Sequence, residues 1–109
     1  MKCRLFLKLT LLSILLFFPL AAFAQVIINE IAWMGTVKST SDEWIELANT
    51  GGGAVDLTGW TLEASDGTPK IALSGSISAG GFFLLERTGD DTVPDVPADQ
   101  IYTGALGNS

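Results

Sequence analysis

Glu43-Trp44-Ile45-Glu46-Leu47-Ala48-Asn49 is the stretch that decides the fold class. In an extended chain Ile45, Leu47 and Asn49 share one face, and Trp44, Glu46 and Ala48 share the other. A period of two with one apolar face describes a half-buried strand. Upstream, Val26-Ile27-Ile28-Asn29-Glu30-Ile31-Ala32-Trp33 is rich in β-branched residues and reads as a first strand. Met34 to Ser41, full of Gly, Ser and Thr, reads as the loop between them. Downstream, Asn49-Thr50-Gly51-Gly52-Gly53 is a turn, because Gly and Asn tolerate positive φ.

The alternation continues outward. Val55 and Leu57 face together before Thr58-Gly59, and Trp60, Leu62 and Ala64 resume it afterwards. A glycine interrupting such a pattern marks a bulge or tight bend. Asp66-Gly67-Thr68-Pro69 is a turn and Lys70 to Leu73 a short strand. Ser74 to Ser78 reads as a polar connection around Ile77. Ala79-Gly80-Gly81 turns into Phe82-Phe83-Leu84-Leu85-Glu86-Arg87, the most apolar strand. Thr88 to Asp99 is an acidic loop containing Pro94 and Pro97, and Gln100 to Thr103 starts another strand. About six strands with turn signals every ~8–12 residues, and no 3.6-residue period after Ala24, predict an all-β sandwich or barrel.

The N-terminus belongs to a different class. Lys2, Arg4 and Lys8 precede an apolar run from Leu9 to Ala24, which ends in Ala22-Phe23-Ala24. That is the order of a cleavable secretory signal peptide over residues 1–24, with Gln25 as the first mature residue. The run of about 16 residues falls short of the ~20 that span a bilayer, so no stable membrane span is expected after cleavage. Cys3 lies ahead of the run, where no lipobox can use it. Residues 25–109 form one domain. The expected location is periplasmic, extracellular or at the cell surface.

Charge and composition then exclude several functions. The chain has 109 residues, no His and one Cys, which removes Cys/His zinc sites, Ser-His-Asp and Cys-His catalysis and a disulfide framework. Lys38, Lys70 and Arg87 are the mature chain's three cations against twelve acids, a net −9. Such a balance argues against nucleic acid or an anionic membrane as partner. Gly51-Gly52-Gly53 lacks the Lys-Ser/Thr of a phosphate-binding loop.

The ordered strings Ile28-Asn29-Glu30-Ile31, Asp42 to Asn49 and Val55-Asp56-Leu57-Thr58-Gly59-Trp60-Thr61-Leu62 resemble the lamin tail domain. Ile77 to Leu84 resembles its next motif, and Thr103 to Ser109 the segment leading to its final strands. The resemblance implies an immunoglobulin-like β-sandwich and a non-catalytic interaction or adhesion module, with no cofactor. Bacterial exported members often sit beside hydrolase, nuclease or other surface domains. An accessory domain of a secreted hydrolase or nuclease, with the enzyme encoded after Ser109, is therefore the alternative expectation. The family continues with about two more strands, so this domain is expected to lack its last strands. The partner is a protein or cell-surface ligand that the sequence leaves unnamed.

Individual residues carry two readings each. Trp33, Trp44 and Trp60 form either an aromatic platform or core packing. Core is expected, with Asp56 to Leu62 as a turn feeding a core Trp60 whose loss costs about 3–5 kcal/mol. Glu30 and Glu46 lie in otherwise apolar strands. They are an acid/base pair or cation site, or else solvent-exposed or bonded to backbone N–H or Arg87. No catalytic residue is assigned. Asp90, Asp91, Asp95 and Asp99 crowd one loop and are the weak calcium candidates, though their spacing fits no EF-hand and a solvated loop is the commoner outcome.

Overall fold

The computed structural model describes residues 25–107, and the signal-peptide reading of residues 1–24 lies outside them. Eight strands follow in order: β1 (Val26–Ala32), β2 (Trp44–Asn49), β3 (Val55–Asp56), β4 (Thr61–Glu63), β5 (Lys70–Ala72), β6 (Ser76–Ile77), β7 (Phe82–Arg87) and β8 (Gln100–Tyr102). No helix occurs among the described residues. One sheet has the order β1-β2-β7-β8; the pairs β3-β6 and β4-β5 supply the opposing layer. β1-β2-β7 is antiparallel, and β8 joins β7 in parallel after the acidic loop. The architecture is a β-sandwich, one of the two forms that the alternation predicted, and of the immunoglobulin-like kind that the resemblance implies.

The core follows directly from the period of two. Ile45 pairs with Leu85 and Leu47 with Phe83 across β2 and β7, and all four are buried. They pack on Leu57, Ile71, Leu73 and Ile77 of the opposing layer, with Tyr102 at one end. The backbone at the Asp56–Trp60 bend is satisfied locally. The Asp56 carboxylate accepts Thr58 N–H at 2.9 Å, Trp60 N–H donates to Leu57 O at 2.9 Å, and Gly59 has φ 88°. That left-handed conformation strains any residue with a Cβ, which is why glycine interrupts the pattern there.

Three expectations change. Ser74 to Ser78 is not merely a connection: Ser76–Ile77 is β6, paired with Val55–Asp56, and Ile77 is buried. None of the three tryptophans is core. Trp60 is 46% and Trp33 43% exposed, while Trp44 is half-buried on the outer face of β2. The bend feeds Leu57, fully buried, rather than Trp60. Finally, the acidic loop keeps all four aspartates exposed, as a solvated loop does, but it is also tied to the sheet, as its contacts below show.

A register shift in β1 sets the direction of Glu30. Ile28 pairs with Leu47 but Glu30 with Glu46, so Asn29 is an extra residue, a β-bulge. Before it, Val26 and Ile28 face the opposing layer. After it, Ile31, opposite Ile45, faces inward and Glu30 outward. Without the bulge a strict alternation would carry Glu30 inward with Ile28.

Candidate functional site

The acidic loop is strapped to the sheet by its own carboxylates. Glu86 follows Phe82 and Leu84 on the outer face of β7, yet it is fully buried, because the loop folds over it. Its Oε1 accepts Val93 N–H at 2.6 Å, and its Oε2 has no hydrogen-bond partner. Burial pushes the Glu86 carboxyl upward. The Val93 bond opposes the shift; Asp90 and Asp91 reinforce it. Asp90 accepts Ala98 N–H at 2.7 Å and closes the loop on itself. Asp99 joins the loop to β7 twice: its carboxylate accepts Leu84 N–H at 2.7 Å and its N–H donates to Leu84 O at 2.8 Å. Of the four calcium candidates, Asp90 and Asp99 thus cap backbone amides. Asp95 sits at a turn with φ 63°. Among the described residues no three acidic, His or Cys side chains converge as metal ligands would.

Glu43 holds a second junction. It is buried at 4% exposure, and its Oε2 lies 3.3 Å from Arg87 Nη1 and accepts Leu106 N–H at 3.0 Å. Arg87 N–H returns a bond to Glu43 O at 3.0 Å. One carboxylate therefore ties β2, β7 and the segment after β8 together. Tyr102 lies beside this pair. Burial, then the Glu43 charge, push its phenol up to about 12 against the opposing pull of Arg87. Arg87 is taken by Glu43, so it is not the partner of Glu30 or Glu46.

Glu30 and Glu46 do meet as cross-strand neighbours on the outer face of β1 and β2. Asn29 Nδ2 donates to Glu46 Oε1 at 2.7 Å. Glu30 is exposed and Glu46 partly so. Like charges set directly opposite destabilise a strand pair, and the Asn29 amide offsets part of that repulsion.

The inner face of β1 is the largest departure from a closed sandwich. Ile28 is 50% and Ile31 46% exposed, because β4 and its turn cover them incompletely. An apolar crevice of about 100 Å³ lies between these isoleucines, Leu62, Pro69 and Leu106. Beside it a cleft of about 470 Å³ runs past Trp33, Ser65, Asp66 and Gly107, sharing Ile31 and Leu106 as walls. Sequence reasoning singled out neither this face nor Glu86, Glu43 and Asn49. Read as the most apolar strand, Phe82–Arg87 assigns Glu86 to no face; its outward direction follows from pairing with Trp44, and nothing in the string says that a loop would cover it.

The family model described as Lamin Tail Domain matches residues 19–108. No curated protein and no solved structure matches the chain.

Proposed function

Since the chain belongs to the lamin tail domain family, whose β-sandwich is generally an interaction module, we propose that it is a non-catalytic interaction module exported within a larger surface or secreted protein. The observation that carries this reading is the family match over residues 19–108, borne on the all-β pairing of the described strands. The basic, apolar and small-residue regions of residues 1–24 support export, and the acidic surface suits an aqueous extracellular compartment. Among the described residues no helix is long and apolar enough to cross a membrane.

Expression in a bacterium tests both halves. The protein is expected outside the cytoplasm with Gln25 at its N-terminus, binding cell-envelope material saturably and turning over no ester, glycoside or phosphodiester. An intact Met1 form in the membrane fraction overturns export. Turnover that follows the purified domain overturns the non-catalytic reading.

A further inference from the structure

We propose that the outer face of the large sheet binds an arginine side chain of an extended partner segment, held between Glu46 and Asp99 in the groove that the acidic loop makes with β2 and β7. The proposal rests on the interaction-module reading and names the partner chemistry for it.

The groove is built by the register of two strands and by the loop strapped beside them. Trp44, Glu46 and Ala48 point outward from β2, with Glu86, Leu84 and Phe82 opposite them on β7. The loop bends over Glu86 and returns to β7 through Asp99, so Val96 and Pro97 stand as a wall beside the strands. A cleft of about 310 Å³ is left between wall and strands. Its floor is Leu84, which is buried. Its ends are aromatic: Trp44, half-buried, at one and Phe82, 61% exposed, at the other. The cleft lies across the sheet from Leu106, which packs on the core of the inner side.

The charge of the groove is of one sign. Glu46 and Asp99 line it, and no Lys or Arg does among the described residues. The two carboxylates flank Leu84. Glu46 is its partner across the β2–β7 ladder, and Asp99 accepts its N–H at 2.7 Å from the β8 side. Each carboxylate uses one oxygen within the fold: Glu46 Oε1 accepts Asn29 Nδ2, and Asp99 Oδ2 accepts Leu84 N–H. Among the described contacts the second oxygen of each stays open. The described cations are placed elsewhere. Arg87 is bound to Glu43, Lys70 pairs in register with Glu63, and Lys38 lines a separate hollow of the loop beside Asp90, Asp91 and Asp95.

Two acceptors on either side of an apolar floor suit a guanidinium. It is planar and weakly hydrated, lies flat on apolar or aromatic surface, and carries N–H donors on both edges. Set over Leu84, it presents one edge to each carboxylate. A lysine ammonium is a compact, strongly hydrated charge, and a quaternary ammonium has no donor for either oxygen. The aromatic ends fix the rest of the ligand. Side chains on one face of a strand recur about every 6.6 Å. Trp44, Glu46 and the Ala48–Phe82 pair therefore match three alternate residues of an extended segment, with arginine in the middle and apolar side chains two residues to either side.

The test uses the exported protein, isotopically labelled, and a synthetic peptide with one arginine, leucine two residues to either side of it and serine elsewhere. Three control peptides replace arginine by citrulline, replace it by trimethyllysine, or move both leucines next to the arginine. The arginine peptide is expected to bind saturably, roughly tenfold tighter than the citrulline peptide, as two part-exposed ion pairs allow. Shift changes are expected at the Trp44 indole and at the Glu46 and Leu84 amides. The double variant Glu46→Gln, Asp99→Asn keeps the acceptors for Asn29 and Leu84 N–H. It should bind the arginine and citrulline peptides equally, whereas Asp66→Asn, on the opposing layer, should keep the tenfold ratio. Any control peptide bound as tightly as the arginine peptide by the unaltered protein overturns the proposal. So does a Phe82 ring already covered by a further segment of the full-length polypeptide before peptide is added. If the double variant still binds cell-envelope material as the unaltered protein does, the groove is overturned and the interaction-module reading stands.

Discussion

Asn49 is fully buried, and its amide joins three pieces of backbone. Its Nδ2 donates to Gly53 O at 2.7 Å and Ile77 O at 3.1 Å, while its Oδ1 accepts Gly51 N–H at 3.0 Å. Asn49→Ala leaves these groups without partners inside the protein and should cost about 2–4 kcal/mol in urea unfolding. Asn49→Asp should not restore it, since a carboxylate has no donors for the two carbonyls. Glu86 makes the opposite case. Its carboxyl is held above the ordinary glutamate range, so the folded state keeps a proton at pH values where the unfolded chain has released it. That contribution is present at low pH and is lost as pH rises through the folded pKa. Stability should therefore climb as pH is lowered from neutral toward about 4.5. Glu86→Gln keeps the acceptor for Val93 N–H and can donate to Asp90. It should gain about 1 kcal/mol at pH 7 and flatten the profile. A loss of stability at pH 7 would mean that the ionised carboxylate is the favoured state.

At the scale of elements, the bend between β3 and β4 and the bulge in β1 can both be tested by chain edits. Leu57→Ala should destabilise by about 2–5 kcal/mol, as cavity-forming core truncations do. Trp60→Ala, at a half-exposed position, should change stability by about 1 kcal/mol or less, measured by the same denaturant midpoint. In β1, deletion of Asn29 leaves every other β1–β2 partner in place, because Asn29 is the residue without an opposite number. The deleted chain should fold with a regular ladder and lose little beyond the Asn29–Glu46 bond. Deletion of Ile31 instead sets Ala32 against Ile45 and turns Trp33 outward, and should be far more damaging. If the two deletions are equally harmful, the bulge has a role in folding that the pairing does not reveal.

Over the whole molecule, twelve acids against three cations from Gln25 onward give a self-repelling surface. Salt screens that repulsion in the compact state more than in the expanded one. The thermal midpoint at pH 7 should rise between about 0.01 and 0.15 M NaCl, where the Debye length shortens from ~30 to ~8 Å. A midpoint that falls would show that the Glu43–Arg87 pair and its like outweigh the net charge.

The residues of β2 and β7 determined the class of fold by themselves. Ile45, Leu47, Phe83 and Leu85 alternate with residues of the other face, and only a strand buries one set without the other. The ordered motifs likewise carried the family, since each is a local string. What the sequence left open depended on which surfaces meet. Ser76–Ile77 is too short to show a period and becomes a strand only by pairing with β3. Glu30 lies in an apolar run, and its direction follows from one unpaired residue, which is a property of two strands together. The expectation for Trp60 is core, because tryptophans in strands are more often packed than exposed. Trp60 instead stays 46% exposed at the bend between β3 and β4, and Leu57 fills the interior. Glu86 and Asn49 are polar residues whose burial depends on segments distant in the chain, Val93 for one and Ile77 for the other. Period and composition report a residue's neighbours along the backbone; the tertiary structure decides which distant carbonyl, amide or carboxylate arrives opposite it.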